Sequence, residues 1–346
     1  AIYSPYLDSF GGGERYMMTI AECLVNKNAI DILLDNHLFE IENLKINLTK
    51  RLNLNLNNVS FIKAPVGRGS NFLQRIKFLR QYDYLFYLTD GSIFYSTAKN
   101  SILHFQVPFE NIAAKNIWGR KKLSSWKIAI YNSQFTKHIV EKTWDLKGKI
   151  IYPPVAVEEF KPLKKENIIL SVGRFVSFNR VKKHELMINI FKEMEKEGLE
   201  GWSLHLAGGV EGDKKYLDEL KVRTKGAKIF FHPNVTFGKL KDLYGHASIY
   251  WHAMGFGEDD PKKQEHFGIT TVEAMAAGCV PIVINLGGQP EIVENGKSGF
   301  LWITTEELKE KTINLINDPK LFNKLSQKAI LKSNLFSKEK FCTRIQ

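Results

Sequence analysis

The feature that most constrains this chain is a repeated alternation of short apolar runs with stretches of helical spacing. The first half offers Ala1–Tyr6, Ile30–Leu34, Tyr84–Tyr87, Ser101–Phe105 and Ile128–Tyr131 as strands. The second half offers Ile168–Val172, Ser203–Leu206, Lys228–Phe231, Ile249–Trp251 and Val280–Ile284. Between strands, Met17, Ile20, Ala21 and Leu24 recur at i, i+3, i+4 and i+7, and Leu186, Ile190, Phe191 and Met194 also fall at helical spacing. Such alternation folds as parallel sheets with helices on both faces. Residues 41–60 mix Asn and Leu and receive no assigned element.

At 346 residues the chain is too long for one typical domain. The break falls from Ile151-Tyr152-Pro153-Pro154 to Lys161-Pro162, where prolines stop strands and helices alike. The expected architecture is α/β: two doubly wound, Rossmann-like domains, 1–152 and 153–336, facing a cleft. A closing helix over 337–346, with Ser337 as its N-cap, is expected to pack back onto the first domain. Ligands of such sheets sit at the carboxyl ends of the strands.

Cys23, Cys279 and Cys342 are far apart, odd in number and without a CxxC. That pattern argues for a reducing compartment and for three small buried hydrophobes. No apolar run approaches the roughly 18 residues of a membrane helix. The opening Ala1-Ile2-Tyr3 reads as a strand, with no signal-peptide pattern, whether or not the natural N-terminus has been trimmed.

The formal charge of +12 is uneven: residues 1–165 carry 23 Lys+Arg against 14 Asp+Glu, and the remainder 26 against 23. Lys115, Arg120, Lys121, Lys122 and Lys127 surround Trp118 and Trp126, and Arg75, Lys77 and Arg80 lie near Phe72, Phe78 and Tyr82. Basic residues beside aromatics suit an anionic membrane surface. They equally suit single-stranded nucleic acid, or a plain solvated face.

The segment richest in chemistry runs from Glu265-His266-Phe267-Gly268 to Glu273-Ala274-Met275-Ala276-Ala277-Gly278. A helix is expected to start near Gly268 or Ile269 and to end at Gly278. Its first turn presents free amides and a positive dipole end, a site for a diphosphate. Glu265 lies ahead of that start and Glu273 about one turn in, so two carboxylates flank the phosphates. A nucleotide sugar has the matching layout of hexose, diphosphate and ribose. Two glutamates eight apart mean little alone; Pro281 and Gly287-Gly288 after the next strand give them context. Gly11-Gly12-Gly13 lets amides approach phosphate, but the run lacks the G-x-G-x-x-G fingerprint because Tyr16 fills the last position. Gly296-Lys297-Ser298 is not a P-loop, because Glu291 stands where its first glycine is needed. Glu258-Asp259-Asp260 is read as a solvated loop, since the chain has no D-x-D metal motif.

These segments resemble the retaining glycosyltransferase family 4 of the GT-B fold. The resemblance covers nearly the whole chain: Gly11–Arg15 (GGGER), Tyr131–Lys137 (YNSQFTK), the proline linker, Ser171–Phe175 (SVGRF), and Glu265-x7-Glu273 with the following EAMAAG…PIV…GG run. The spellings look most like the branch of mannosyltransferases that extend dolichol-linked oligosaccharides. The resemblance implies that Glu265 bonds the donor hexose hydroxyls and that the amides of Phe267, Gly268 and Ile269 help hold sugar and phosphate. It also implies that Glu273 binds the ribose, while Arg174 and Lys182 neutralise the diphosphate leaving group. Phe178-Asn179-Arg180 looks inserted between those two cations, so Lys183 or Arg180 stays open in place of Lys182. His104, at a strand end, is a further expected catalytic group that orients the donor or assists the acceptor hydroxyl.

The implied function is a metal-independent, retaining hexosyltransferase without a cofactor. Its donor is a GDP- or UDP-sugar, with GDP-mannose preferred, and its acceptor a glycan or lipid-linked glycan. It is expected to be cytoplasmic, peripheral on the inner face of a membrane, with no nucleic-acid partner. The rival readings are a GT-B-fold sugar-nucleotide epimerase or hydrolase and, on charge alone, a nucleic-acid-binding protein.

Overall fold

A computed structural model of the chain describes residues 1–346 apart from Asn36, Phe39, Arg68, residues 110–115, Asn179, Glu211 and Asp213. The chain divides into two compact units, Ala1–Pro154 with Glu339–Gln346, and Val155–Lys338.

The first unit is built on β1 (Ile2–Tyr3), β2 (Asp31–Leu34), β3 (Ser60–Lys63), β4 (Tyr84–Leu88), β5 (Asn100–Phe105), β6 (Ile128–Tyr131) and β7 (Gly148–Ile150). All pair in parallel, in the order β3-β2-β1-β4-β5-β6-β7. Successive side chains in a strand point to opposite faces. Ile2, Ile32, Leu34, Phe86, Ile102 and Ile130 therefore share a core with Tyr16, Met17 and Ile20 of the helix Gly12–Leu24. Tyr3, Leu33, Leu85, Tyr87, Leu103 and Tyr131 fill the opposite core with Trp126, Val140 and Trp144. Apolar residues on both faces are what a helix-covered parallel sheet demands.

The second unit repeats the plan with β8 (Glu166–Val172), β9 (Ser203–Gly208), β10 (Ile229–Pro233), β11 (Ala247–His252), β12 (Val280–Ile284) and β13 (Phe300–Trp302). The order is β10-β9-β8-β11-β12-β13, again parallel throughout. Each unit is thus a doubly wound, Rossmann-like α/β sheet, as expected.

The strands that went unread, β3, β7 and β13, are all at sheet edges. They are three or four residues long and none is fully buried, so their apolar signal is thin. Residues 41–52 form a helix whose Leu44, Leu48 and Leu52 face the core at four-residue spacing. The closing helix is Lys338–Ile345; its Phe341 is buried edge-on against Tyr16 at 4.8 Å.

One expectation is overturned. Cys23 and Cys342 form a disulfide, their Cα atoms 5.3 Å apart, joining the helix Gly12–Leu24 to the closing helix. Their separation of 319 residues hides that contact from any local pattern. The pairing also removes the argument for a reducing compartment. Cys279 is free and buried. Among the described residues no helix is long and apolar enough to cross a membrane.

Candidate active site

In the second unit the helix Ile269–Ala276 begins where expected. Gly268 caps its start at φ 119°, in the left-handed region, and a Cβ there would stand 2.4 Å from Gln289 Nε2. The glycine pair after β12 has a matching role. A Cβ on Gly287 would meet the Glu265 carbonyl at 2.2 Å, and the Gly288 amide donates to that carbonyl at 2.8 Å. The pair therefore clamps the loop that carries Glu265 against the helix start.

The Glu265 carboxylate is held from two sides. Lys182 Nζ donates to Oε2 at 2.7 Å, and His252 Nε2, at the end of β11, donates to the same oxygen at 3.1 Å. Burial alone would raise the Glu265 carboxyl. The Lys182 ammonium and the His252 ring overcome it and hold the group well below the usual carboxylate range. His252 itself is buried, and that burial lowers its pKa against the pull of Glu265. A neutral ring donating Nε2–H to an ionised Glu265 follows.

Glu273 lies just over one turn into the helix, where Tyr244 donates its hydroxyl to Oε2 at 3.0 Å. Tyr250 donates to Thr270 Oγ1 at 2.7 Å, and Thr271 donates to Gln289 Oε1 at 2.9 Å. Phe267 is buried edge-on against Phe336, and Ile269 opens the helix half-buried. Both carboxylates are thus fixed around one helix N-terminus.

The three cations left open as phosphate ligands have different partners. Lys183 pairs with Glu258 at 2.6 Å, and Arg180 pairs with Glu185 and Glu219. Of the three, Lys182 is the one at Glu265. Arg174 follows β8 and is exposed. Gly173, beside it, lies against the Lys182 stem, where a Cβ would stand 3.0 Å from Cγ and Cδ. Asn179, in the apparent insertion, lies outside the described residues. Within the acidic run, Glu258 is taken by Lys183 and Lys263, and Asp260 caps the turn Pro261–Lys263.

The expected residues of the first unit fit less well. Gly12 and Gly13 open a helix capped by Gly11, but Glu14 Oε2 accepts from the Gly11 amide and from Ser9 Oγ, both at 2.9 Å. An anion there would share the helix start with a carboxylate. His104, expected to contact the reacting groups, is fully buried and stacked on Tyr16 at 3.8 Å. Its Nε2 lies 3.0 Å from Gln106 Oε1, and burial lowers its pKa to about 4. With no exposed atom it presents nothing to a ligand, so the direct catalytic role is withdrawn in favour of packing.

The basic–aromatic clusters divide as well. Trp118 is 71% and Ile117 79% exposed, with Lys121 Nζ 5.9 Å from the Trp118 ring. Phe72 and Leu73 are exposed on the helix Phe72–Leu79. Trp126 is a core residue bonded to the Phe94 carbonyl, and Lys115 lies outside the described residues.

Sequence reasoning missed His252, Tyr244 and Gln289. His252 did carry a signal, a histidine closing an apolar strand, the same one that drew attention to His104. Tyr244 and Gln289 carried none, because their partners are distant along the chain.

Two Rossmann-like sheets in one chain, the second with a paired-glutamate helix start, define a GT-B glycosyltransferase fold. The model of the family described as glycosyl transferases group 1 matches residues 156–332, just over half the chain, and the chain belongs to that family. It is 28% identical over 239 residues to a Dictyostelium discoideum protein named GDP-Man:Man(3)GlcNAc(2)-PP-Dol alpha-1,2-mannosyltransferase, a match covering 62% of this chain and 45% of that one. It is 33% identical over 192 residues to the Xenopus laevis protein of the same name, covering 50% and 38%. The matches thus span less than half the length of these curated relatives. Among solved structures, a glycosyltransferase from Rickettsia africae superposes with a TM-score of 0.77 at 18% identity, covering 99% of this chain and 95% of that one. Anabaena HepE in complex with UDP superposes at 0.74 and 16% identity, covering 99% and 97%.

Proposed function

We propose that this chain transfers a hexose, with retention, from a nucleotide sugar to a glycan or lipid-linked acceptor. The observation that carries the reading is the Glu265 carboxylate, fixed and ionised between Lys182 and His252 at a helix N-terminus whose second turn presents Glu273. In this reading Glu265 accepts from hexose hydroxyls and the Phe267–Ile269 amides approach the sugar and phosphate. Glu273 accepts from the ribose. GDP-mannose is the favoured donor, supported by the names of the curated relatives.

Arg174 and Lys182 neutralise the charge that develops on the departing diphosphate, the work a metal ion does in other transferases. The bond from the anomeric carbon to the diphosphate oxygen breaks. The acceptor oxygen bonds to the same face of that carbon, and its proton passes to the released diphosphate. No carboxylate nucleophile is assigned. The first unit takes the acceptor, and exposed Ile117 and Trp118, with Lys121 over the Trp118 ring, together with exposed Phe72 and Leu73, support attachment to an anionic membrane surface.

The test is an assay with labelled GDP-mannose and a polyprenyl-diphosphate glycan. Label in the glycan supports transfer. Label found only in free sugar, or in an altered nucleotide sugar, favours the hydrolase or epimerase instead.

A further inference from the structure

The first unit holds a cavity of about 500 Å³ at the carboxyl ends of its strands. Strand order reverses between β1 and β4, and the cavity opens over that pair. Doubly wound sheets bind ligands at this switch point. Tyr3 and Tyr87 are paired in register across it, their rings stacked at 5.1 Å, and Phe94 stands 5.1 Å from Tyr87. An aromatic floor results.

Two carboxylates rise from it. Asp35 follows β2, and the Tyr3 hydroxyl donates to both its oxygens at 3.0 Å. Gly67 permits that placement, because a Cβ would stand 2.2 Å from Asp35 Oδ1. Among the described residues the Asp35 carboxylate accepts hydrogen bonds from Tyr3 alone, with His37 Nδ1 4.0 Å from Oδ2, so part of its capacity for about four bonds is unused. Asp90 follows β4 and accepts from Tyr6, Tyr87 and Ser92.

Arg75 lines the same cavity, its guanidinium 5.2 Å from the centre of the Phe94 ring. Among the described residues no carboxylate lies within ion-pair distance of it, and its buried Nε has no partner. A carboxylate and a guanidinium in one cavity would ordinarily pair. Here Tyr3 holds one and Phe94 the other, so the cavity presents hydroxyl acceptors and a fixed cation separately.

The geometry points to this cavity as the seat of a carbohydrate bearing an anionic group, a sugar phosphate or a uronate. Its hydroxyls donate to Asp35 and Asp90, its ring lies on the aromatic floor, and its anion is received by Arg75. The inference rests on the transferase reading and narrows the acceptor to an anionic glycan.

The test is calorimetric titration of the full chain with glucose phosphate, glucuronate, methyl glucoside and inorganic phosphate. One charged sugar should bind about tenfold or more tightly than the neutral glycoside, the scale of one charge-assisted bond. Which of the two it is identifies the anion as phosphate or carboxylate. Arg75→Gln should abolish that difference, and Asp90→Asn, at an exposed position, should weaken all three sugars. Equal or unsaturable binding of the three sugars overturns the inference. So does inorganic phosphate binding as tightly as glucose phosphate. GDP is titrated in parallel: if wild type fails to bind GDP, the transferase reading fails, whereas GDP binding without discrimination among the sugars sinks this inference alone.

Discussion

His252 and Glu265 meet at a single atom: the buried ring donates Nε2–H to Oε2 at 3.1 Å, the oxygen that Lys182 also reaches. Among the described residues neither side chain nor amide donates to Oε1. One face of the carboxylate is therefore anchored and the other left to accept from a ligand hydroxyl.

Removing the anchor should cost sugar recognition and leave the nucleotide. His252→Ala is expected to weaken nucleotide-sugar binding about tenfold, as loss of a hydrogen bond to a charged group does. Affinity for the free nucleoside diphosphate should stay within about twofold. His252→Gln, which restores a donor, should recover part of the loss. Equal weakening of both ligands in calorimetry would assign His252 to the fold instead.

The pH dependence of stability should carry the mark of buried neutral histidines. His104 and His184 are depressed by burial, to about 4 and about 3. Unfolded, each protonates near 6.5. Between 6.5 and the folded values the unfolded chain binds more protons, so stability is full above 6.5 and is lost as pH falls. Each histidine adds a slope of up to about 1.4 kcal/mol per pH unit. His104→Gln should flatten urea-denaturation midpoints between pH 6.5 and about 4. An unchanged slope would contradict its placement.

The disulfide gives a third expectation. Cys342→Ser should destabilise the chain by about 2–4 kcal/mol by freeing the closing helix from the helix Gly12–Leu24. A reductant should lower the melting temperature of wild type and leave the variant unmoved. Alkylation of unreduced, unfolded protein should label Cys279 alone; three labelled thiols would contradict the pairing.

The sheets were legible because buried parallel strands are nearly continuous apolar runs, as in Ile128–Tyr131 and Val280–Ile284, each read to the residue. Edge strands such as Gly148–Ile150 bury too little to show. The Glu265–Glu273 segment was legible because its logic is local: a glycine, a helix start and two acids within one short stretch. Lys182, 83 residues from Glu265, was reached through the family resemblance and left open against its neighbours. His252, Tyr244 and the Cys23–Cys342 bond depend on strands and helices brought together only by the fold. His104 misled because a strand-end histidine has the same local spelling whether it faces a ligand or, as here, the stacked ring of Tyr16.

The most direct test of the central claim is a pair of titrations, GDP-mannose and GDP, into wild type, Glu265→Ala and Glu273→Ala. Glu265→Ala should weaken GDP-mannose about tenfold or more and leave GDP nearly unchanged, while Glu273→Ala should weaken both by a similar factor. Wild-type affinities in both variants, or the reverse assignment of sugar and ribose, would contradict the division of labour between the two glutamates.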